Sequence, residues 1–211
     1  NFKENYEKYK YKDICRAWFH CFRDPENYFQ PHVPRLLVSE SDFTDCNTNK
    51  PIPGIKKEFD FVYICLKQNE KNDTCDDWAT YNKNWTLAKK CLEVLCGKLK
   101  LKGLLVGRKD CPLSNKCNGL MTTTNILSNQ EMREMYCKSK FIFLPNEKDA
   151  SPRVLSEALV HNVPAVVNKN ILGGWKYINS DTGTFFNDEK DVESAVLTVM
   201  NNLNNYKPRE Y

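Results

Sequence analysis

The stretch FIFLPNEKDASPRVLSEALVHNVPAVV, Phe141 to Val167, decides the fold. It opens on a fully apolar, strand-like run stopped by Pro145 and closes on PAVV, a second short run of the kind buried in parallel sheets. Between them, Pro152 suits the first turn of a helix, because its missing N–H would be an orphan there anyway. Ser151 is then the natural N-cap, and the helix runs to Leu159 or Val160 until Asn162 and Pro164 stop it. Strand, loop, helix and strand make one βαβ unit. Its loop lies at the carboxyl edge of the sheet, where open α/β sheets bind ligands.

That loop carries Asp149, and Glu157 follows about a turn and a half into the helix, its side chain leaning back toward the N-terminus. The helix start offers unpaired N–H groups and a positive dipole end to an anion such as a diphosphate. Taken singly, Asp149 reads as a dipole partner and Glu157 as a solvated helix residue. Their coincidence at a sheet edge makes them a candidate pair.

Outward from this unit the pattern stays regular. FDFVYICL, from Phe59, is strand-like, and DWATYNKNWTLAKKCLEVLCGKL reads as a helix with Leu87, Cys91, Val94 and Leu95 on one face and Gly97 near its end. LKGLLVG supplies a strand over Leu104 to Val106, and RKDCPLSNKCNGLMTTTN reads as an unusually long loop. Ser128 and Glu131 stand at capping-box spacing ahead of another helix. In the last segment Val192, Ala195, Val196, Val199, Met200 and Leu203 fall at helical spacing, with Asp188 as N-cap. Alternating short apolar runs and helices over 58–211 predict a Rossmann-like parallel sheet with helices on both faces. Residues 1–57 form an N-terminal extension: one or two helices up to Asp24-Pro25, a strand over Leu36 to Val38, and a polar linker with Pro51, Pro53 and Gly54.

With 211 residues, 41% of them hydrophobic, the chain can bury one substantial core or two small ones. Its net charge of +4, spread along the chain, suits an anionic small molecule and makes no demand for nucleic acid. No apolar run reaches a membrane span and no signal-peptide core opens the chain, which reads as soluble, the cytoplasm favoured over a secretory lumen. Asn1 in place of an initiator Met reads as a mature product or an excised fragment. Among the ten cysteines there is no zinc-like CxxC pair. Cys65, Cys91, Cys96 and Cys137 read as buried thiols, and Cys111 and Cys117 flank a polar loop that an oxidising compartment would let them bridge. No dinucleotide GxGxxG, Walker loop, HExxH or GxSxG elbow is present, and Asp76-Asp77 ahead of a helix reads as capping rather than as a metal pair.

KSKFIFLPNEKDASPRVLSEALVHNVPAVVN resembles the nucleotide-sugar site of the group 1 glycosyltransferases with the GT-B fold, specifically their C-terminal half. The family pattern is a strand ending in Pro, a loop, a Glu, seven residues, a second Glu, then Ala and Pro-Val-Val. The second Glu maps onto Glu157 and the first onto Asp149, a departure of one methylene. The family's Gly-aromatic-Gly segment is replaced by Ala150, Ser151 and Pro152. TTTNILSNQEMREMYCKSKF resembles the family's run through the base-binding turn, and NILGGWKYINSDTGTFFND its Gly-Gly segment and Thr-Gly turn, through Gly173, Gly174, Thr182 and Gly183.

The resemblance implies transfer of a hexose from a nucleotide diphosphate sugar, such as a UDP- or GDP-hexose, to a glycan or other hydroxyl acceptor, with retention at the anomeric carbon and without a metal or other cofactor. It implies that Glu157 holds the ribose, that Asp149 and the backbone of Ala150, Ser151, Pro152 and Arg153 meet sugar and phosphates, and that Ile126, Leu127 and Ser128 meet the base. The family's basic group at the diphosphate matches Lys83 best and Lys67 second. Residues 1–57 are too few for the family's acceptor domain, so the enzyme is incomplete without a partner domain. Two alternatives stand beside this: a catalytically silent binding domain of the same fold, and an exostosin-like transferase, whose donor site also carries a Ser-Pro-Arg segment before a Glu-bearing helix.

Overall fold

The computed structural model describes residue 5, residues 8–66, residue 75 and residues 81–211. Lys67, Asp76 and Asp77 lie outside the described residues. Six parallel strands form the main sheet: β3 (Phe59–Ile64), β4 (Gly103–Val106), β5 (Met121–Thr124), β6 (Ser139–Leu144), β7 (Ala165–Asn168) and β8 (Gly183–Phe186). Their order across the sheet is β5-β4-β3-β6-β7-β8, with every neighbouring pair parallel. This is the doubly wound Rossmann order, and the direction of winding reverses between β3 and β6.

Alternation along each strand divides the interior into two layers. On one face Phe61, Tyr63, Leu105, Phe141, Phe143 and Phe186 pack against α2 (Trp85–Leu92) and α5 (Val192–Asn201). On the other, Val62, Ile64, Leu104, Val106, Ile142 and Leu144 pack against α3 (Asn129–Lys138) and α4 (Arg153–Val160). Strands buried on both faces need apolar residues at every position, which is why FIFL and FVYI show no polar alternation.

Of the helix expected over residues 77–99, residues 77–80 lie outside the described residues, residues 81 and 82 are helical, and a turn at Lys83 and Asn84 separates them from α2. Asn84 adopts left-handed φ 51° and its side-chain oxygen accepts from Leu87 N, and the helix then widens into a π-turn over Glu93–Lys98. The long loop after β4 is interrupted: a 3₁₀ turn, Asn115–Cys117, leads into β5, whose threonines suit an edge strand. The capping box of Ser128 and Glu131 is present at the start of α3. Asp188 is not the N-cap of α5. Asp191 holds that position, its carboxylate accepting from Asn187 N and Asp188 N.

In the extension, residues 5 and 8 are helical and α1 (Tyr11–Ile14) adds a further turn, as expected of its first part. Beyond α1 the described residues hold a 3₁₀ turn (Pro25–Asn27) and a two-stranded parallel sheet of β1 (Trp18–His20), which was not expected, and β2 (Arg35–Leu37), which was. What makes β1 a strand is the alternation of Trp18, His20 and Phe22. All three rings lie 5.8 to 5.9 Å from that of Phe29, a clustering only extended chain allows. The 3₁₀ turn Glu40–Phe43 is tied to the main body at Asp42, which accepts from Lys176 Nζ at 2.7 Å and Tyr177 Oη at 2.6 Å.

Cys65, Cys91, Cys96 and Cys137 are buried and unbridged. The bridge that an oxidising compartment would let Cys111 and Cys117 form is absent. Cys111 is bonded to Cys75, while Cys117 is turned into the core beside Leu92 O. The six-residue spacing in sequence says nothing of which way each side chain faces. Beside the bridge, the fully buried Arg108 donates to Cys65 Sγ at 2.9 Å and to Cys75 O at 3.0 Å. The disulfide spans a sequence separation of 36, so loop closure predicts that Cys111→Ser costs roughly 3–4 kcal/mol. Urea unfolding of the variant against the oxidised protein measures this, and equal midpoints would refute it.

Candidate functional site

The winding reverses between β3 and β6, the place at whose carboxyl edge open α/β sheets bind ligands, and two charged side chains meet there. Lys83 Nζ lies 2.5 Å from Asp149 Oδ2. Lys83 follows β3 in the chain and stands two residues ahead of α2. Its carbonyl accepts from the hydroxyl of the fully buried Tyr63 at 3.1 Å, which pins it to the β3 strand. Asp149 comes from the loop after β6 and is 7% exposed. It also accepts from Asn146 Nδ2 at 2.8 Å and Ser151 N at 3.3 Å. These contacts offset the cost of burying a carboxylate, which is high when it is left unpaired. Asn146 is wholly buried, and its Oδ1 has no hydrogen-bond partner among the described residues.

The loop that carries Asp149 is braced from both sides. Behind it, Leu172 N donates to Glu147 O at 2.8 Å and Gly173 N to Asp149 O at 2.9 Å. The backbones approach so closely that a Cβ on Gly173 would stand 1.8 Å from Ala150 O. In front lies the extension. Ser151 is not the N-cap of α4, a position taken by Pro152. The Ser151 hydroxyl instead accepts from Ser41 N at 2.9 Å and lies 3.0 Å from Ser41 Oγ, and Thr44 Oγ1 lies 2.6 Å from Ser156 Oγ on α4.

Glu157 sits on α4 with each carboxylate oxygen addressed. Oε2 accepts from Tyr136 Oη at 2.9 Å, and Oε1 lies 3.7 Å from Arg153. Burial, and then the Glu157 charge, push the Tyr136 hydroxyl well above its usual range, so it stays protonated and donates. Glu157 and Arg153 form one wall of a cavity of about 340 Å³ whose other wall is Glu40, Phe43, Thr44, Asp45 and Asn49 of the extension.

The structure thus brings Lys83, Asp149, Ala150, Ser151 and Pro152 into one assembly, with Arg153 and Glu157 on the adjoining helix. Ile126, Leu127 and Ser128 stand beyond the carboxyl end of β5, with β4 between that strand and β3. Ile126 is largely exposed there, while the Ser128 hydroxyl is engaged with Glu131. Tyr136, Asn146 and Ser41 had no signal in the sequence. Each matters through a contact that the chain makes only once folded.

Neither a protein-family model nor a curated protein sequence matches the chain. Among solved structures it is similar to sucrose-phosphate synthase from Thermosynechococcus elongatus, with a TM-score of 0.65 and 12% identity over 91% of this chain and 52% of that one. The pneumococcal O-GlcNAc transferase GtfA, solved with UDP and GlcNAc, gives a TM-score of 0.61 and 13% identity over 98% of this chain and 44% of its own. The C-terminal domain of a group 1 family glycosyl transferase (LpcC) from Francisella tularensis gives 0.55 and 8% identity over 79% of this chain and 93% of that domain. At these identities the likeness is one of fold, the Rossmann-like parallel sheet that this chain shares with these glycosyltransferase structures. The chain spans about half the length of the two longer structures. Among the described residues no helix is long and apolar enough to cross a membrane.

Proposed function

We propose that the carboxyl edge at the winding reversal binds a nucleotide diphosphate sugar and that the chain is the donor-binding half of a hexosyltransferase. The observation that carries this is the Lys83–Asp149 pair, drawn from the loops after the two strands that flank the reversal and set beside the start of α4. Such a pair presents a localised ammonium where a diphosphate would meet helix N–H groups. Asp149 uses one of the three Lys83 donors and fixes where the other two can point.

In the proposed reaction the bond between the anomeric carbon and the β-phosphate oxygen breaks and its electron pair stays on the diphosphate. An acceptor hydroxyl oxygen forms the new bond to the anomeric carbon, and its proton passes to the departing diphosphate oxygen. Lys83 stabilises the charge that develops on the leaving group, which is the reason to expect no metal requirement. Glu157, held by Tyr136, accepts from the ribose hydroxyls in the cavity it shares with the extension. Arg153 stands beside it for the phosphates, the backbone of Ala150, Ser151 and Pro152 for the sugar, and Ile126 to Ser128 for the base. The extension stands in for part of the interdomain wall, and a partner domain completes the enzyme. The Cys75–Cys111 bridge supports an oxidising compartment for the whole.

One observation favours a second reading, a binding domain without turnover. Asp149 is occupied by Lys83, Asn146 and Ser151, which leaves its carboxylate little capacity for a donor sugar. Calorimetry with UDP, GDP and their hexose conjugates, with and without Mn²⁺, tests the shared premise, and the absence of binding by any of them would sink it. Glu157→Gln replaces a charged acceptor with a neutral one and should weaken nucleotide binding roughly tenfold. Unchanged affinity would show that the ribose contact was assigned to the wrong residue.

A further inference from the structure

A second cleft, about 500 Å³, opens at the same carboxyl edge. One wall comes from the extension at Phe22, Asp24 and Tyr28, the other from Glu147 and Lys148 after β6 and Lys169 after β7. We infer that this cleft receives the hydroxyl acceptor as a neutral pyranose glycan. The inference rests on the donor-site reading and deepens it.

Three observations carry it. Phe22 and Tyr28 stack on each other at 3.8 Å with their planes 10° apart, forming a flat platform, and Tyr28 remains 37% exposed. A flat aromatic face suits the apolar C–H face of a pyranose, with polar groups around it for the hydroxyls. Next, the charges nearly balance. Arg23, Lys148 and Lys169 face Asp24 and Glu147, and Lys148 is already paired with Glu147 at 2.7 Å. Alternating donors and acceptors without a dominant field suit a polyhydroxylated neutral ligand better than a phosphate or sulfate.

Finally, the platform is held in place rather than loosely apposed. Arg23 donates to Lys169 O at 2.9 Å and lies 5.1 Å from the Trp175 ring and 5.3 Å from that of Phe185, and Trp175 Nε1 donates to Cys21 O at 2.9 Å. The cleft also shares its wall with the donor site. Glu147 and Lys148 directly precede Asp149, so an acceptor seated there approaches the sugar from the β7 side.

Saturation-transfer NMR on the whole chain, with the aromatic protons irradiated, tests this against maltotriose, cellotriose and chitotriose as neutral probes and a heparin tetrasaccharide as an anionic one. At least one neutral probe should receive saturation at its ring C–H protons. Tyr28→Ala should weaken its binding roughly three- to tenfold while leaving UDP affinity intact. Lys169→Ala, an exposed change that does not threaten folding, should also weaken it. Saturation of the heparin probe alone, of no probe, or of probes indifferent to both variants overturns the glycan cleft, while UDP binding in the same samples keeps the donor reading. Neutral-glycan binding sensitive to both variants in a chain that binds no nucleotide would support the cleft and overturn the transferase reading instead.

Discussion

Lys83→Met should lower hexose transfer by roughly 10²–10³-fold, with most of the loss in kcat. In the proposed complex the ammonium would face a diphosphate that is already charged in the ground state. The charge on its bridging oxygen, however, develops only as the glycosidic bond breaks, so the contact strengthens toward the transition state. Methionine keeps the length of the apolar stem and removes the ammonium, with its charge and its three donors. It leaves Asp149 with Asn146 and Ser151 as partners, so some destabilisation accompanies the kinetic loss. Thermal melts at the assay temperature separate the two effects. Asp149→Asn should give a smaller kinetic loss, because it frees the lysine without deleting it. A folded Lys83→Met protein that transfers at the wild-type rate would remove Lys83 from the mechanism. If the chain binds without turnover, the same variant should still weaken UDP binding.

Gly173→Ala should be severely damaging, because a methyl there makes the closest approach found at any of the eight glycines. A Cβ there would stand 1.8 Å from Ala150 O and 2.5 Å from Ala150 C, both backbone atoms of the loop that presents Asp149. Nothing flexible can give way, so the loop must move and take with it the hydrogen bond from Gly173 N to Asp149 O. Overpacking of this kind costs about 1–3 kcal/mol, and the lost loop contact adds to it. A protein of this size should then melt several degrees lower, at about 2–4 °C per kcal/mol. Nucleotide binding should suffer beyond what the melt explains, because the displaced atoms belong to the site. Gly54→Ala is the control: its φ of +78° strains any side chain, yet no atom lies within 4 Å of the added carbon. That substitution should cost about 1–2 kcal/mol and leave binding alone. Equal effects at the two positions would mean that the close approach at Gly173 is not what shapes the loop.

How much was legible can be traced through particular residues. FIFLP and PAVV were readable as buried parallel strands because burial on both faces leaves an unbroken apolar run, and Pro145 and Pro164 mark where each run ends or begins. The capping box at Ser128 was readable because its donors and acceptors are three residues apart. The Rossmann-like sheet and the positions of Asp149, Glu157 and Lys83 near strand or helix ends follow from such local signals. Where local signals compete, the reading failed. Trp18, His20 and Phe22 fit a helix as well as a strand until Phe29 is there to gather them. Ser151 is a good N-cap in isolation, but Ser41, distant in the chain, takes its hydroxyl.

The sequence alone determined most strands and helices of the main sheet, since those depend on neighbours within a few residues and on whether a side chain prefers water. Tertiary structure decided that Lys83 meets Asp149, 66 residues away; that Cys111 bonds Cys75 rather than Cys117; and that the extension folds over α4 to wall the Glu157 cavity. These outcomes depend on the winding reversal between β3 and β6 and on which way each loop leaves the sheet. Both are set by the packing of two opposed apolar layers, a property of the whole chain that no short window of sequence contains.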